Sequence, residues 1–359
     1  MRKIKSYLEE VDLEKIRKRF DAFWEREIID RPLISIKAPR KDSKESPLPI
    51  PDTLEKRWTD LDYILNKMRF SLENTLFLGD AIPFYMPNIG PDSFTAYLGG
   101  DLKFLDERTS WVEAFLQNLA EYEPIFDKNS QWWRFMNDLI DAVCEVAKGN
   151  FLVGIPDLHG GGDSLAAARG PSHLSLDLYD RPDEVKRVLR KLTEIYYEVF
   201  DAYYEKISRV QEGSITWLPA YSRGKYTALQ NDFSGFVSPA MFGEFFLYEI
   251  EELSRYLDNS IYHLDGPSSL GNLDALLEID TLDGIQWVPG AGAKPMSGWV
   301  DVSARILDAG KCLQISCKPE EVEFLLSELK PEGLFISTTC KTEDEAYALL
   351  RKVETMSSR

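Results

Sequence analysis

The stretch SIYHLDGPSSLGNLDALLEIDTLDGIQWVPG, residues 260–290, holds two short apolar runs, SIYHLDG and DGIQWVPG, on either side of the helical pattern LDALLEI. Each run is too short for a helix interior and is rich in aromatic or β-branched residues, so the segment reads strand, helix, strand. The first run ends on His263 and Asp265, two residues apart and therefore on the same side of a strand. Similar runs recur along the chain: TLFLGD (75–80), NFLVGIPD (150–157), SITWLPAY (214–221), TALQND (227–232), CLQISC (312–317) and GLFISTTC (333–340). With 260–266 and 283–290 they make eight, and clear helices such as 181–209 and 240–257 separate several of them. This alternation predicts a parallel sheet, and eight repeats predict a (β/α)8 TIM barrel of the α/β class. A doubly wound open sheet is the alternative, but no glycine-rich dinucleotide fingerprint follows the first strand.

Residues 1–75 read as an N-terminal helical extension packed on the barrel, and 76–359 as the barrel itself. Within the extension, Pro32 and the run Leu33–Lys37 indicate a strand after the first helix. At 359 residues with 44% hydrophobic side chains, the chain can bury a large core. Sixty acidic residues against 42 basic give a net charge of −18, which disfavours nucleic acid as a partner. The N-terminus alternates charged and apolar residues, without the uninterrupted stretch of a signal peptide or membrane span. The expectation is a cytoplasmic protein acting on a small molecule, with no membrane partner. Cys144, Cys312, Cys317 and Cys340 do not suggest a disulfide framework; Cys144 and Cys312 fall at apolar positions of a helix and a strand.

The polar ends of the apolar runs, Asp80, Asp157, Asp232, His263 with Asp265, Cys317 and Cys340, lie where a barrel places its active site. An imidazole, a carboxylate and a thiolate suit a divalent transition metal such as zinc, with one position left open. His263, Asp265 and Cys340 are the candidate ligands, and Cys317 is the rival to Cys340. An H-x-D strand end by itself is more often a hydrogen-bonded pair. DLHGGGDSLAAARGP (157–171) reads either as a glycine-rich turn whose amides face an anion or as a flexible loop with Ser164 capping a helix; His159 and Asp163 lie in it. Tyr221, Arg223, Lys225 and Tyr226 combine cationic and hydroxyl donors, Arg223 being the preferred anchor for a substrate anion. Trp217, Trp287 and Tyr85 are candidates to line an apolar pocket, with core packing as the plainer role.

Across roughly residues 75–355 the chain resembles the uroporphyrinogen decarboxylase and cobalamin-dependent methyltransferase superfamily. LQNDFSGFVSPAMFGEFFLYEIEEL (229–253) is similar to its strand, Ser-Pro and helix signature, with Asp232, Ser238 and Pro239 in place. IYHLDG matches the H-x-C-G-N strand end at His263 and Gly266, with Asp265 replacing the cysteine. GLFISTTCKTEDEAYALLRKV (333–353) resembles the last strand of the methyltransferases, Cys340 taking the cysteine's position. The resemblance implies zinc at His263, Asp265 and Cys340, and a methyl group moving between a small substrate and a corrinoid on a partner protein. Asp232 and, as a loose counterpart of the decarboxylases' Asp, Asp80 take catalytic roles from the resemblance; Arg223 joins them as an orienting residue from its own loop, and Tyr221, Tyr226, His159 and Trp287 are the candidate substrate contacts. A carboxylate in place of a thiolate makes the expected site harder, suited to an oxygen or nitrogen substrate. The decarboxylases' basic N-terminal motif has no match; APRKD (38–42) is built differently. A metal-free decarboxylase using His263 and Asp80, and a non-catalytic corrinoid- or tetrapyrrole-binding barrel, are the alternatives.

Overall fold

The computed structural model describes residues 6–357. Thirteen strands occur in chain order: β1 (Leu33–Pro39), β2 (Thr75–Gly79), β3 (Phe84–Tyr85), β4 (Leu102–Phe104), β5 (Ser110–Val112), β6 (Leu152–Val153), β7 (Ser214–Ile215), β8 (Tyr221–Ser222), β9 (Tyr226–Gln230), β10 (Asn259–Asp265), β11 (Gly284–Val288), β12 (Cys312–Ser316) and β13 (Leu334–Thr339). Seven form the main sheet in the order β2-β1-β13-β12-β11-β10-β9. All its pairings are parallel except β1 with β2. β11 and β12 are buried on both faces along nearly their whole length, which is why they read as continuous apolar runs. The fold is α/β: Glu343–Ser357 packs on β1 and β2, Val300–Asp308 on β12 and Leu247–Tyr256 on β9, while Gln131–Ala147 turns its apolar stripe onto β6 and Pro182–Ile207 packs on that helix and on neighbouring ones.

β3, β6 and β7 lie side by side: the Leu152 and Gly154 amides donate to Pro83 and Tyr85 carbonyls (3.0 and 2.8 Å), and the Ile155 amide donates to Ile215 (2.8 Å). Among the described residues no ladder joins this group to the main sheet, so no sheet closes, and the eight-stranded barrel expected from the sequence is not one continuous ladder. Each of the three strands is two residues long, and Pro83 and Pro156 beside them lack the N–H that longer pairing requires. Two further expectations change. TLFLGD is an antiparallel edge strand, β2; and β1, inside the segment read as a helical extension, is an interior strand between β13 and β2.

The helix Leu13–Trp24 explains what those first residues do. Asp12 caps it by accepting from the Lys15 amide at 3.0 Å, and its buried face is Ile16, Phe20, Phe23 and Trp24. These pack in one cluster with Leu33, Leu152, Ile215, Ala228, Ile261, Cys312 and Phe335, residues at or near the amino ends of β1, β6, β7, β9, β10, β12 and β13. Phe20 stands edge-on to Phe335 at 5.4 Å. Burying side chains of this size stabilises by roughly 1.5–3 kcal/mol each. The amino ends are thereby sealed, and any opening to solvent is left at the carboxyl ends. Among the described residues, no helix is long and apolar enough to cross a membrane.

Candidate active site at the carboxyl ends of the strands

Strand register puts His263 beside Gln230 on one side and Gln286 on the other, and Gln286 beside Gln314. Their side chains form a rail: His263 Nδ1 meets Gln286 Oε1 (2.5 Å), Gln286 Nε2 donates to Gln314 Oε1 (2.6 Å), and Gln314 Nε2 donates to the Ile315 carbonyl (3.0 Å) and Ser337 Oγ (3.1 Å). The far end sets the polarity. A carbonyl accepts only, so Gln314 turns its amide nitrogen to Ile315 and its oxygen to Gln286, and Gln286 must then offer oxygen to His263. Nδ1 of His263 therefore carries the proton, and the Nε2 lone pair is left for a metal or an acid. The Trp217 ring meets His263 edge to face at 5.1 Å, which fixes the imidazole plane.

Asp157, after β6, gathers the next group. Its Oδ1 accepts from Trp217 Nε1 and Gln230 Nε2, both at 2.9 Å, and its Oδ2 meets His159 Nε2 at 3.1 Å. His159 Nδ1 lies 3.8 Å from Asp163 Oδ2. Burial alone would lower the His159 pKa, but the carboxylates of Asp157, Asp163 and Asp232 outweigh it and raise the pKa to about 9. Asp163 accepts the amides of Asp232 (3.0 Å) and Phe233 (2.8 Å), which pins the loop carrying Asp232; burial holds its carboxyl at about 6 against the pull of His159. The glycine-rich turn is already filled from within, by the carboxyl group of Glu249. Glu249 takes a backbone hydrogen bond from Gly162, and a Cβ on Gly161, whose φ is +37°, would lie 1.5 Å from Glu249 Oε2. Burial, reinforced by Asp163, pushes Glu249 up to about 8. Ser164 lies inside the helix Gly161–Arg169 and meets Thr95 Oγ1 at 2.9 Å instead of capping it.

Two groups of side chains converge closely enough to hold a metal ion: Asp232, His263 and Asp265, and His159, Asp163 and Asp232, the ligand atoms within each lying inside 4.8 Å of one another. Asp232 belongs to both. Cys340 joins neither among the described residues: its amide donates to the Lys37 carbonyl at 2.8 Å, its side chain is buried in the core, and burial raises its pKa to about 11. Cys317, directly after β12, lines a cavity beside Lys37 and Gln286, its pKa raised by burial to about 12. Both cysteines are free, as are Cys144 and Cys312. The converging donors are thus one nitrogen and two carboxylates, a harder set than one containing a thiolate.

Two cavities flank this centre. One, of about 490 Å³, is chiefly apolar, walled by Trp111, Val112, Ala166, Phe233 and Phe236, and reaches His159, Asp163 and Asp232. The other, of about 480 Å³, lies on the Trp217 and Gln286 side and reaches Lys37 on β1.

The remaining candidate residues lie elsewhere. Asp80 is wholly buried at the amino end of β1, where it accepts from the Ile34 amide (2.9 Å) and Arg19 (3.0 Å) and pairs with Arg31. Arg223 is also at the amino ends and meets Asp21, Glu14 and Glu212 at the surface; hydrogen bonding to Asp21 leads in raising its pKa. Tyr221 and Tyr226 are buried there against the first helix, their hydroxyls donating to the Glu212 (3.0 Å) and Leu218 (3.1 Å) carbonyls. Trp287 points away from the rail into the outer layer, where it meets Trp299 at 5.1 Å. Lys37, Gln230, Gln286 and Glu249, by contrast, belong to the site although no motif marks them. A glutamine at the centre of an apolar strand, as in DGIQWVPG and CLQISC, is the one sequence signal pointing to the rail.

No family model matches the sequence, and no curated protein matches it. Solved structures do: 17 chains resemble the fold. One, a methyltransferase from Methanosarcina mazei, aligns over 96% of this chain and 99% of its own with a TM-score of 0.64 at 10% sequence identity. At that identity the likeness is one of fold.

Proposed function

We propose that this protein is an enzyme of methyl transfer on a barrel of the uroporphyrinogen decarboxylase and cobalamin-dependent methyltransferase type. One divalent metal ion would be held by Asp232, His263 and Asp265. The convergence of these three side chains at the carboxyl ends of the strands carries the reading. The full-length likeness to a methyltransferase supports it, and so does the packing of strand amino ends around one helix, which leaves the carboxyl ends as the open side. The donor set fits a metal because His263 has its Nδ1 proton tied to Gln286 and presents Nε2, while two carboxylates supply charge. A bound ion would act as a Lewis acid toward a substrate oxygen or nitrogen, zinc being the first candidate.

The chain's own residues do the rest. Asp163 fixes the loop that carries Asp232, Trp217 fixes the His263 plane, and Trp111, Phe233 and Phe236 keep water from the apolar side of the substrate. A corrinoid on a partner protein is the methyl carrier in this reading, and Trp111 (50% exposed) and Phe236 (76% exposed) give such a partner an apolar rim to meet. A porphyrinogen decarboxylase needs several cations around its substrate, and the two cavities offer only Lys37, Lys318 and the His159 imidazole.

Metal content of protein purified without an affinity tag tests the centre. About one equivalent of metal is expected in wild type and in Cys340→Ser, with loss in His263→Ala and Asp265→Ala. Metal retained in His263→Ala, or lost in Cys340→Ser with the fold intact, would overturn this ligand assignment. Metal-dependent transfer of methyl from O- or N-methylated compounds to cob(I)alamin, followed by its absorbance, tests the reaction.

A further inference from the structure

The cavity on the Lys37 side has a composition that the metal centre does not account for. It opens at the carboxyl ends of β1, β11, β12 and β13, beside the turn that follows β7. Lys37 is its one deep cation. No carboxylate pairs with Lys37 among the described residues, and its ammonium faces the Phe84 and Phe77 rings at 5.4 and 5.9 Å. Desolvation lowers its pKa. In a chain of net charge −18 a surface lysine finds acidic partners readily, as Lys15, Lys186, Lys206 and Lys225 do. A lysine held apart from them, on an interior strand and against aromatic rings, sits at a free-energy disadvantage that a bound anion would relieve. Lys318 also lines the cavity, but it is solvent-exposed at the rim and interacts with the Glu321 carboxylate; the other polar groups are neutral: the hydroxyls of Ser35, Ser316, Ser337 and Thr339, and the Gln286 amide.

We propose that this cavity is the subsite for a carboxylate on the substrate, with Lys37 as its counter-charge and the serine and threonine hydroxyls as donors. The choice among anions follows from the charge count. One buried ammonium with neutral donors balances one negative charge, the exposed Lys318 being screened by water and occupied with Glu321, whereas a phosphate dianion or a tetrapyrrole bearing several carboxylates would leave buried charge uncompensated. Gln286 lines the cavity and holds His263, so a carboxylate beside Lys37 sits one side chain away from the metal-binding group. Resting on the methyl-transfer reading, this identifies the substrate class as a small O- or N-methylated carboxylic acid, its acid end at Lys37 and its methylated heteroatom toward Asp232, His263 and Asp265.

The test uses benzoate, benzamide and inorganic phosphate as probes. Wild type is labelled with trinitrobenzenesulfonate, and modification of Lys37 is read by peptide mass spectrometry. Benzoate is expected to protect Lys37 and benzamide to leave it open; calorimetry is expected to show benzoate binding weakened about tenfold or more in Lys37→Met and largely kept in Lys37→Arg. Equal benzoate binding by wild type and Lys37→Met, failure of benzoate to protect Lys37, or better protection by phosphate would each overturn the proposal. The labelling arm needs no variant, so a misfolded Lys37→Met leaves the test intact. His263→Ala separates the two readings: if it keeps benzoate binding while wild type holds no metal, the methyl-transfer reading fails and the carboxylate subsite stands.

Discussion

Replacing Glu249 with glutamine makes the stability of this protein less sensitive to alkali, by an amount that follows from its burial. The side chain is 6% exposed, lies on the glycine-rich turn and faces Asp163, and its pKa rises from 4.5 to about 8. Between those two values the folded chain keeps the proton and the unfolded chain has released it, so stability falls as pH rises through the window. The difference of about 3.5 units corresponds to a ceiling of about 5 kcal/mol at 1.36 kcal/mol per unit. From about pH 5.5 to about pH 8 the wild type should lose about 3 kcal/mol more than Glu249→Gln, which has no proton to release. His159 and Asp163, whose pKa values are also raised, act with the same sign in both proteins and largely cancel in the comparison. Urea midpoints of both proteins at the two pH values, converted with their m-values, measure the difference. Parallel pH dependence of the two proteins would show that Glu249 is already ionised in the fold and would refute the argument.

Gln286→Leu removes the acceptor that fixes the Nδ1 proton of His263, and metal affinity should fall about 10- to 100-fold, read by competition titration with a chelator on folded protein; the Gln314 oxygen left unpaired should cost about 1–3 kcal/mol of stability. Phe20→Ala opens a void beneath the strand amino ends and should cost about 3–5 kcal/mol in chemical denaturation, with metal content per folded chain unchanged. Asp80→Ala leaves Arg19 and Arg31 buried without their shared partner and should cost about 3–5 kcal/mol without altering metal binding; a loss of metal in folded Asp80→Ala would contradict its placement at the far end of the sheet. Arg223→Ala, at the surface, should shift stability by only about 0–1 kcal/mol and leave methyl transfer unchanged.

The sequence by itself determined what depends on local pattern. Short apolar runs bounded by turns predicted the strands β9 to β13, because strands buried on both faces draw mostly apolar residues. The helical pattern at 240–257 and the resemblance to a Ser-Pro signature placed a helix here; it begins at Pro239, where the Ser238 hydroxyl accepts from the Met241 amide at 3.3 Å, and breaks at Phe246 into Pro239–Phe245 and Leu247–Tyr256. His263 and Asp265 were legible as a pair because alternation along one strand fixes their common side.

Only the tertiary structure decided which residues meet across strands. Asp232 replaces Cys340 beside His263 because the loop after β9 is held over the site by Asp163, whereas the Cys340 side chain turns into the core behind β13; neither follows from local pattern. Arg223, Tyr221 and Tyr226 carried the polar chemistry of a binding loop, yet they lie at the amino ends, where acidic residues of the first helix and of the segment before β7 neutralise Arg223. Lys37 looked like any lysine in a strand. Its isolation from the carboxylates of the described residues is a property of what the fold places around it, which no window of sequence contains.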